Sequence, residues 1–181
     1  MLRTRVGYAG GTTKDPTYHN LGDHVETIQI DYDPTQVSYA ELLDVFWDSH
    51  DPTSRPWSRQ YMSIVFYHDD EQRKLATETR DREAAGRRSE ILTHIVPAAE
   101  FYPAEAYHQK YQLRQVPELM AEFSAIYPAA GDFVASTAAA RVNGYLGGYG
   151  TFTDLQTALS GLDLSPEEST RLLDMVHALE N

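Results

Sequence analysis

The feature that most constrains the fold is a change of hydrophobic period between residues 27 and 47. Apolar side chains occupy every second position of residues 28–32, the pattern of a strand with one apolar face. Asp33 and Pro34 then predict a turn, and a capping box beginning at Ser38 predicts a helix that ends near Asp51. A one-sided strand followed by a one-sided helix favours layers that pack on each other.

The rest of the chain repeats this alternation. Extended segments are predicted over residues 2–6, 62–67 and 91–96. Helices are predicted from Asp69 to about Gly86, from about Pro103, from about Pro117, and from the cap at Ser165. The glycine-rich residues 143–150 are expected to form a coil. We therefore expect an α/β (α+β) two-layer sandwich, with a small mixed sheet and flanking helices.

Composition limits the classes of function. A chain of 181 residues is large enough for a real core, and its net charge of −12 argues against nucleic acid and against a basic membrane-binding face. No run of about 18 apolar residues is present, and the N-terminus lacks the apolar core of a signal peptide. These features predict a cytoplasmic protein without a membrane partner.

The sequence contains no cysteine, which removes disulfides, zinc–thiolate sites and thiol catalysis by these 181 residues. Its seven histidines are not in a paired ligand spacing, so no metal site is predicted.

Glu26 is the clearest candidate acid from periodicity alone. Counting back two residues from Ile28 places Glu26 on the apolar face of the predicted strand, with no lysine or arginine adjacent in sequence. A carboxyl group there would be partly desolvated, with a raised pKa. Alternatively, strand pairing ends before Glu26 and leaves its side chain in solvent. The spacing does not choose between these two placements.

Several short motifs, taken in order, resemble one enzyme family, the A-type peptide methionine sulfoxide reductases. They are Val6-Gly7-Tyr8-Ala9-Gly10-Gly11, Asp15-Pro16-Thr17-Tyr18, His24-Val25-Glu26-Thr27, Phe46-Trp47, His50-Asp51-Pro52-Thr53 and Gln60-Tyr61-Met62-Ser63. The resemblance implies a ferredoxin-like reductase core and the reduction of methionine-(S)-sulfoxide, as in the repair of oxidised proteins. It also implies domain limits of 1–150 for the reductase-like region and 151–181 for a helical extension.

The resemblance assigns roles to three residues of this chain. Glu26 matches the family's proton donor, while Tyr8 and Tyr61 match the tyrosines that orient the sulfoxide oxygen. A family aspartate shortly before the second tyrosine has no counterpart, because residues 55–58 read Arg-Pro-Trp-Ser. Trp57 could supply apolar surface there, which is an interpretation of this sequence and not a family feature. Leu146 lies where many members keep a resolving cysteine.

The family nucleophile has no match. It belongs to a Gly-Cys-Phe-Trp motif that lies upstream of the segment matching residues 2–8, so the core is expected to lack its first strand and helix and to expose apolar sheet surface. One hypothesis is a truncated reductase, inert as given, whose complete form uses thioredoxin or another thiol as reductant and no other cofactor. A second is a pseudoenzyme that binds methionine sulfoxide or a similar small polar ligand. A third, weaker one is a decayed fragment.

Overall fold

The computed structural model describes residues 2–180, which separate into two compact units. Within the described residues, the helical unit comprises residues 2–5, Gln29–Asp31 and residues 105–180. The α/β unit comprises Val6–Ile28 and Tyr32–Ala104. The predicted boundary after residue 150 falls inside the helical unit and stays a prediction.

The α/β unit combines two small sheets with two helices. Antiparallel pairing joins β1 to β5, with β2 on the other side of β1, and a separate parallel pair joins β3 to β4. The bounds are β1 Arg3–Ala9, β2 Val25–Asp31, α1 Tyr39–Asp48, β3 Ile64–Tyr67, α2 Asp70–Ala85, β4 His94–Pro97 and β5 Tyr102–Pro103. The first residues of β1 and the last of β2 belong to the helical unit.

Helix α1 begins as its sequence predicts. The Ser38 side chain accepts a hydrogen bond from the Glu41 backbone N–H at 3.2 Å, and the Ser38 N–H donates to the Glu41 carboxylate at 2.7 Å. The helix buries Leu43 and Trp47 in a core that also contains Val65 of β3. Helix α2 begins at the predicted Asp69 cap and adds Ala76 to the same core. Helices on one side of a small sheet confirm the predicted mixed α/β class.

The helical unit has its own core. Its helices are α3 Tyr111–Arg114, α4 Pro117–Ile126, α5 Ala130–Ala135, α6 Thr137–Leu146, α7 Phe152–Ala158 and α8 Pro166–Leu179. Phe123 lies at the centre, with its ring edge-on to Phe133. The predicted starts of α4 at Pro117 and of α8 after the Ser165 cap are confirmed. No helix within residues 2–180 is both long enough and apolar enough to span a membrane.

Two predicted elements are wrong. Pro103 does not begin a helix: it lies in β5 opposite Gly7, and the Ala104 N–H beyond it donates to the Val6 carbonyl at 3.0 Å. Proline lacks an N–H and therefore suits the edge position that β5 occupies. The glycine-rich stretch is not a coil from residue 143, because α6 continues to Leu146 and the chain leaves the helix only after that residue.

Packing explains why α6 extends so far. Its buried side includes Ala139 and Val142, and the Asn143 side-chain oxygen accepts a hydrogen bond from the Leu113 N–H at 3.2 Å. These tertiary contacts outweigh the low helix propensity of Gly144. The helix stops at Gly147, and Gly148 takes a positive φ of 81°.

Candidate functional site

The three predicted site residues all belong to the α/β unit. Tyr8 lies on β1, Glu26 on β2, and Tyr61 ends a short 3-10 turn, Arg59–Tyr61. Tyr8 is buried, whereas Glu26 and Tyr61 are both exposed.

A hydrogen bond and an electrostatic interaction bring the 3-10 turn to Glu26. The Gln60 side-chain amide donates to the Glu26 carboxylate at 3.1 Å. Partial burial and then the neighbouring Glu26 carboxylate raise the pKa of Tyr61, and a hydrogen bond with Tyr18 acts in the same direction. The structure therefore places a carboxyl group beside a phenol that keeps its proton. The phenol, and the carboxyl group when it is protonated, can donate a hydrogen bond to an oxygen atom.

Of the two placements that the spacing left open for Glu26, the structure shows the exposed one, and the buried one is wrong. Val25 is buried in β2, whereas Glu26 is exposed and Ile28 on the same face is 56% exposed. Gln60 contacts Glu26, yet the side chains of Glu26 and Ile28 remain exposed, whereas Val25 lies on the packed side of the strand. A ligand can therefore reach Glu26.

Tyr8 is held in place by close strand pairing. It lies opposite Tyr102 in the antiparallel register of β1 with β5. A Cβ on the preceding Gly7 would lie 2.3 Å from the Tyr102 carbonyl oxygen, so only glycine permits this approach. The structure places Tyr8 on the strand next to the one that carries Glu26.

Asp23 organises the loop that leads into β2. Its carboxylate accepts hydrogen bonds from the N–H and hydroxyl groups of both Thr12 and Thr13, at 2.8–3.0 Å. These bonds, led by the backbone ones, hold the pKa of Asp23 well below its usual range. No local pattern in the sequence indicated this clamp.

The same loop positions the 3-10 turn. The Arg59 guanidinium donates to the Asp23 carbonyl oxygen at 2.7 Å, which anchors the turn that carries Gln60 and Tyr61. Gln60 and Tyr18 were not predicted as site residues, although both belong to motifs that carry the resemblance. The Arg59–Asp23 contact joins residues far apart in sequence, and no local pattern indicates it.

Two histidines within these motifs are held by hydrogen bonds to backbone groups and to a hydroxyl group. His24 is buried; its Nδ1 accepts from the Gly11 N–H at 3.2 Å and its Nε2 donates to the Thr13 carbonyl at 2.8 Å. His50 Nδ1 donates to the Phe46 carbonyl, and its Nε2 contacts the Ser63 hydroxyl, each at 2.8 Å. Residues 2–180 contain no group of side chains suited to a metal ion.

Trp57 contacts the site from the loop before the turn. Its ring centroid lies 4.7 Å from that of Tyr61, with 34° between the ring planes. The indole is 82% exposed. It thus adds apolar surface in the region where the family aspartate is unmatched, as the sequence suggested.

Comparison with known proteins identifies the family. A family model described as peptide methionine sulfoxide reductase matches residues 1–140. The chain belongs to that family. A second model, described as the helical domain of selenoprotein methionine sulfoxide reductase A, matches residues 132–178. The two matches account for the α/β unit and most of the helical unit.

Individual relatives agree with this assignment. A peptide methionine sulfoxide reductase of Drosophila melanogaster is 42% identical over 170 residues, which are 93% of this chain and 68% of the relative. Peptide methionine sulfoxide reductase A5 of Oryza sativa is 41% identical over 80% of this chain and 59% of its own length. An archaeal reductase from Methanothermobacter thermautotrophicus is 48% identical over 61% of this chain and 72% of its own.

A solved structure confirms the fold. The reduced form of Mxr1 from Saccharomyces cerevisiae superposes with a TM-score of 0.58 at 31% identity, covering 64% of this chain and 71% of the yeast protein. The mixed α/β architecture is therefore that of this reductase family. The chain spans 59% to 68% of the length of the rice and fly relatives.

Proposed function

We propose that the α/β unit carries the sulfoxide-binding and proton-donating groups of a methionine-(S)-sulfoxide reductase. Glu26 is the proton donor, and the hydroxyls of Tyr8 and Tyr61 orient the sulfoxide oxygen. The contact of Gln60 with Glu26, next to Tyr61, carries this proposal. Glu26 and Tyr61 are exposed side chains that a ligand can reach, and Tyr8 lies on the neighbouring strand β1.

The reaction also needs a nucleophile that these 181 residues do not contain, since they include no cysteine. A thiolate or selenolate attacks the sulfoxide sulfur, and the oxygen takes a proton from Glu26. The hydroxyl then passes from the methionine sulfur to the nucleophile as the bond between the nucleophile and that sulfur breaks, so that methionine leaves and a sulfenic or selenenic acid remains. Thioredoxin or another thiol then reduces that acid, releasing water and forming a disulfide. We place the reaction in a reducing compartment such as the cytoplasm, which keeps the reductant thiols available.

We infer that the nucleophile is supplied from outside the given sequence. The second family model names selenoproteins, which makes a selenol as well as a thiol a candidate. A selenol and a thiol perform the same step, so the roles of Glu26 and of the tyrosines do not depend on which is used.

A second candidate function is sulfoxide binding without reduction. The absence of cysteine favours it, because loss of the nucleophile removes the covalent route and not merely part of the rate. In that case the same three side chains would hold methionine sulfoxide or a similar small polar ligand.

One experiment separates the two. The 181-residue chain and a version extended at its N-terminus by a family strand–Gly-Cys-Phe-Trp–helix segment are assayed with methionine-(S)-sulfoxide and dithiothreitol. We expect no turnover from the chain alone and reduction by the extended version. Glu26→Gln in the extended version should slow reduction by about 100-fold or more, the usual contribution of a positioned acid.

The control is Glu71→Gln, which changes an exposed carboxylate in the first turn of α2. It should leave the rate unchanged. A folded extended version that binds the sulfoxide without reducing it would favour the binding function. Equal rates for the Glu26→Gln and Glu71→Gln variants would remove Glu26 from the mechanism.

A further inference from the structure

Trp57 differs from the other tryptophan of this chain. Trp47 is 2% exposed and packs in the core of the α/β unit, whereas Trp57 is 82% exposed. A tryptophan side chain normally buries most of its large apolar surface, so a stable fold alone does not explain Trp57. A single exposed apolar residue is ordinary, however, and a role must rest on what Trp57 contacts.

Its contact is the candidate site itself. The indole lies against Tyr61, with ring centroids 4.7 Å apart, and Tyr61 neighbours the Glu26 carboxylate. Trp57 therefore lies against one of the groups that would hold a sulfoxide oxygen, the ring of Tyr61. Consecutive Cα atoms of a peptide lie about 3.8 Å apart, so the residue next to a bound oxidised methionine would reach this ring.

The segment around Trp57 is held on both sides. Before it, the Asp51 carboxylate accepts hydrogen bonds from the Thr53 N–H at 2.9 Å, from its hydroxyl at 2.8 Å, and from the Ser54 hydroxyl at 2.9 Å. After it, Arg59 donates to the Asp23 carbonyl oxygen at 2.7 Å. A ring on an anchored segment contacts a ligand with little loss of conformational entropy.

The chemistry of the ring selects among neighbouring side chains. An indole face gains by packing on an apolar side chain, whereas a carboxylate placed there would lose its hydration without a compensating partner. The net charge of −12 further disfavours an acidic neighbour.

We propose that Trp57 is a specificity-determining residue that packs against an apolar side chain next to the oxidised methionine of a peptide. The preferred substrates are therefore peptides in which an apolar residue adjoins the oxidised methionine. This inference rests on the proposed function and adds the identity of the neighbouring residue to it.

Calorimetry on the 181-residue chain tests the proposal with four probes. They are an oxidised leucine–methionine–leucine peptide blocked at both ends, the same peptide unoxidised, blocked methionine sulfoxide alone, and free methionine sulfoxide. We expect the oxidised tripeptide to bind about tenfold tighter than blocked methionine sulfoxide, at the upper end of what aromatic packing contributes. Trp57→Ala should abolish that difference, and Trp57→Phe should keep most of it.

Val45→Ala is the matched control. Val45 is an exposed apolar residue on α1, outside the site, and its removal should leave all affinities unchanged. Fluorescence supplies an independent readout, because Trp57 is the exposed member of only two tryptophans. The oxidised tripeptide should shift the wild-type emission to shorter wavelengths and leave that of Trp57→Phe unshifted.

The outcomes distinguish this inference from the proposed function. If wild type and Trp57→Ala bind the oxidised tripeptide equally, still in preference to the unoxidised one, the role of Trp57 is refuted and the proposed function stands. If wild type binds oxidised and unoxidised peptides equally, or binds neither, the proposed function fails and the inference fails with it.

Discussion

Lys110 should make the stability of the helical unit depend on pH. This lysine is 5% exposed, and its ammonium group donates to the Thr4 carbonyl at 2.7 Å and to the Thr4 hydroxyl at 2.8 Å. Both acceptors are neutral, so neither compensates the buried charge as a carboxylate would. Burial, with a smaller effect from nearby Arg5, lowers the pKa of Lys110 to about 8.

The sign and size of the effect follow from the two pKa values. In the unfolded chain Lys110 titrates at its ordinary 10.5, against about 8 in the folded chain. Between these values the unfolded chain binds more protons, so the free energy of unfolding rises as the pH rises. The destabilisation caused by burying the charged lysine is fully present below about pH 8. At 1.36 kcal/mol per pH unit it amounts to about 3 kcal/mol in all, of which about 2.5 kcal/mol is relieved between pH 7 and pH 10.

The assay compares wild type with Lys110→Met by urea unfolding at several pH values from about 7 to about 10. Methionine keeps an unbranched side chain without the charge. Subtracting the two curves removes the titration of tyrosines such as Tyr39, whose pKa is raised by burial and whose ionisation acts in the opposite direction. Over this range we expect the free energy of unfolding of wild type to rise by about 2.5 kcal/mol more than that of the variant.

Lys74→Met provides the control, because Lys74 is exposed and its removal should give a flat difference curve. Parallel curves for wild type and Lys110→Met would refute the reasoning. They would mean that water reaches the ammonium group or that the lysine leaves its buried position.

Two further predictions concern the helical unit. Phe123→Ala should lower the stability of this unit by about 3–5 kcal/mol, because the ring is fully buried in its core. Ile126→Ala, at the exposed end of the same helix, should cost far less. Urea unfolding midpoints measure both effects. Ser136→Ala should cost about 1 kcal/mol by removing the cap on the Ala139 N–H at the start of α6, and unchanged stability would show that the cap is replaced by another contact.

Local sequence signals determined where several helices begin. Ser38, Asp69 and Ser165 cap α1, α2 and α8 as predicted, because a cap needs only a side chain and a backbone N–H two or three residues later. The order of short motifs was enough to indicate the family, since each motif is contiguous. Glu26 lies beside Tyr61 in the structure, and the roles that the resemblance gives these two residues stay a prediction.

Tertiary structure decided what alternation and propensity leave open. A period of two gives β2 two faces, but which face is covered depends on the layer that packs there, and the covered face carries Val25 and not Glu26. Pro103 joined a strand because β1 offered it a partner, and Gly144 stayed helical because the core holds α6. Nor could the sequence show that Arg59 reaches Asp23, because a contact across 36 residues exists only once the chain has folded.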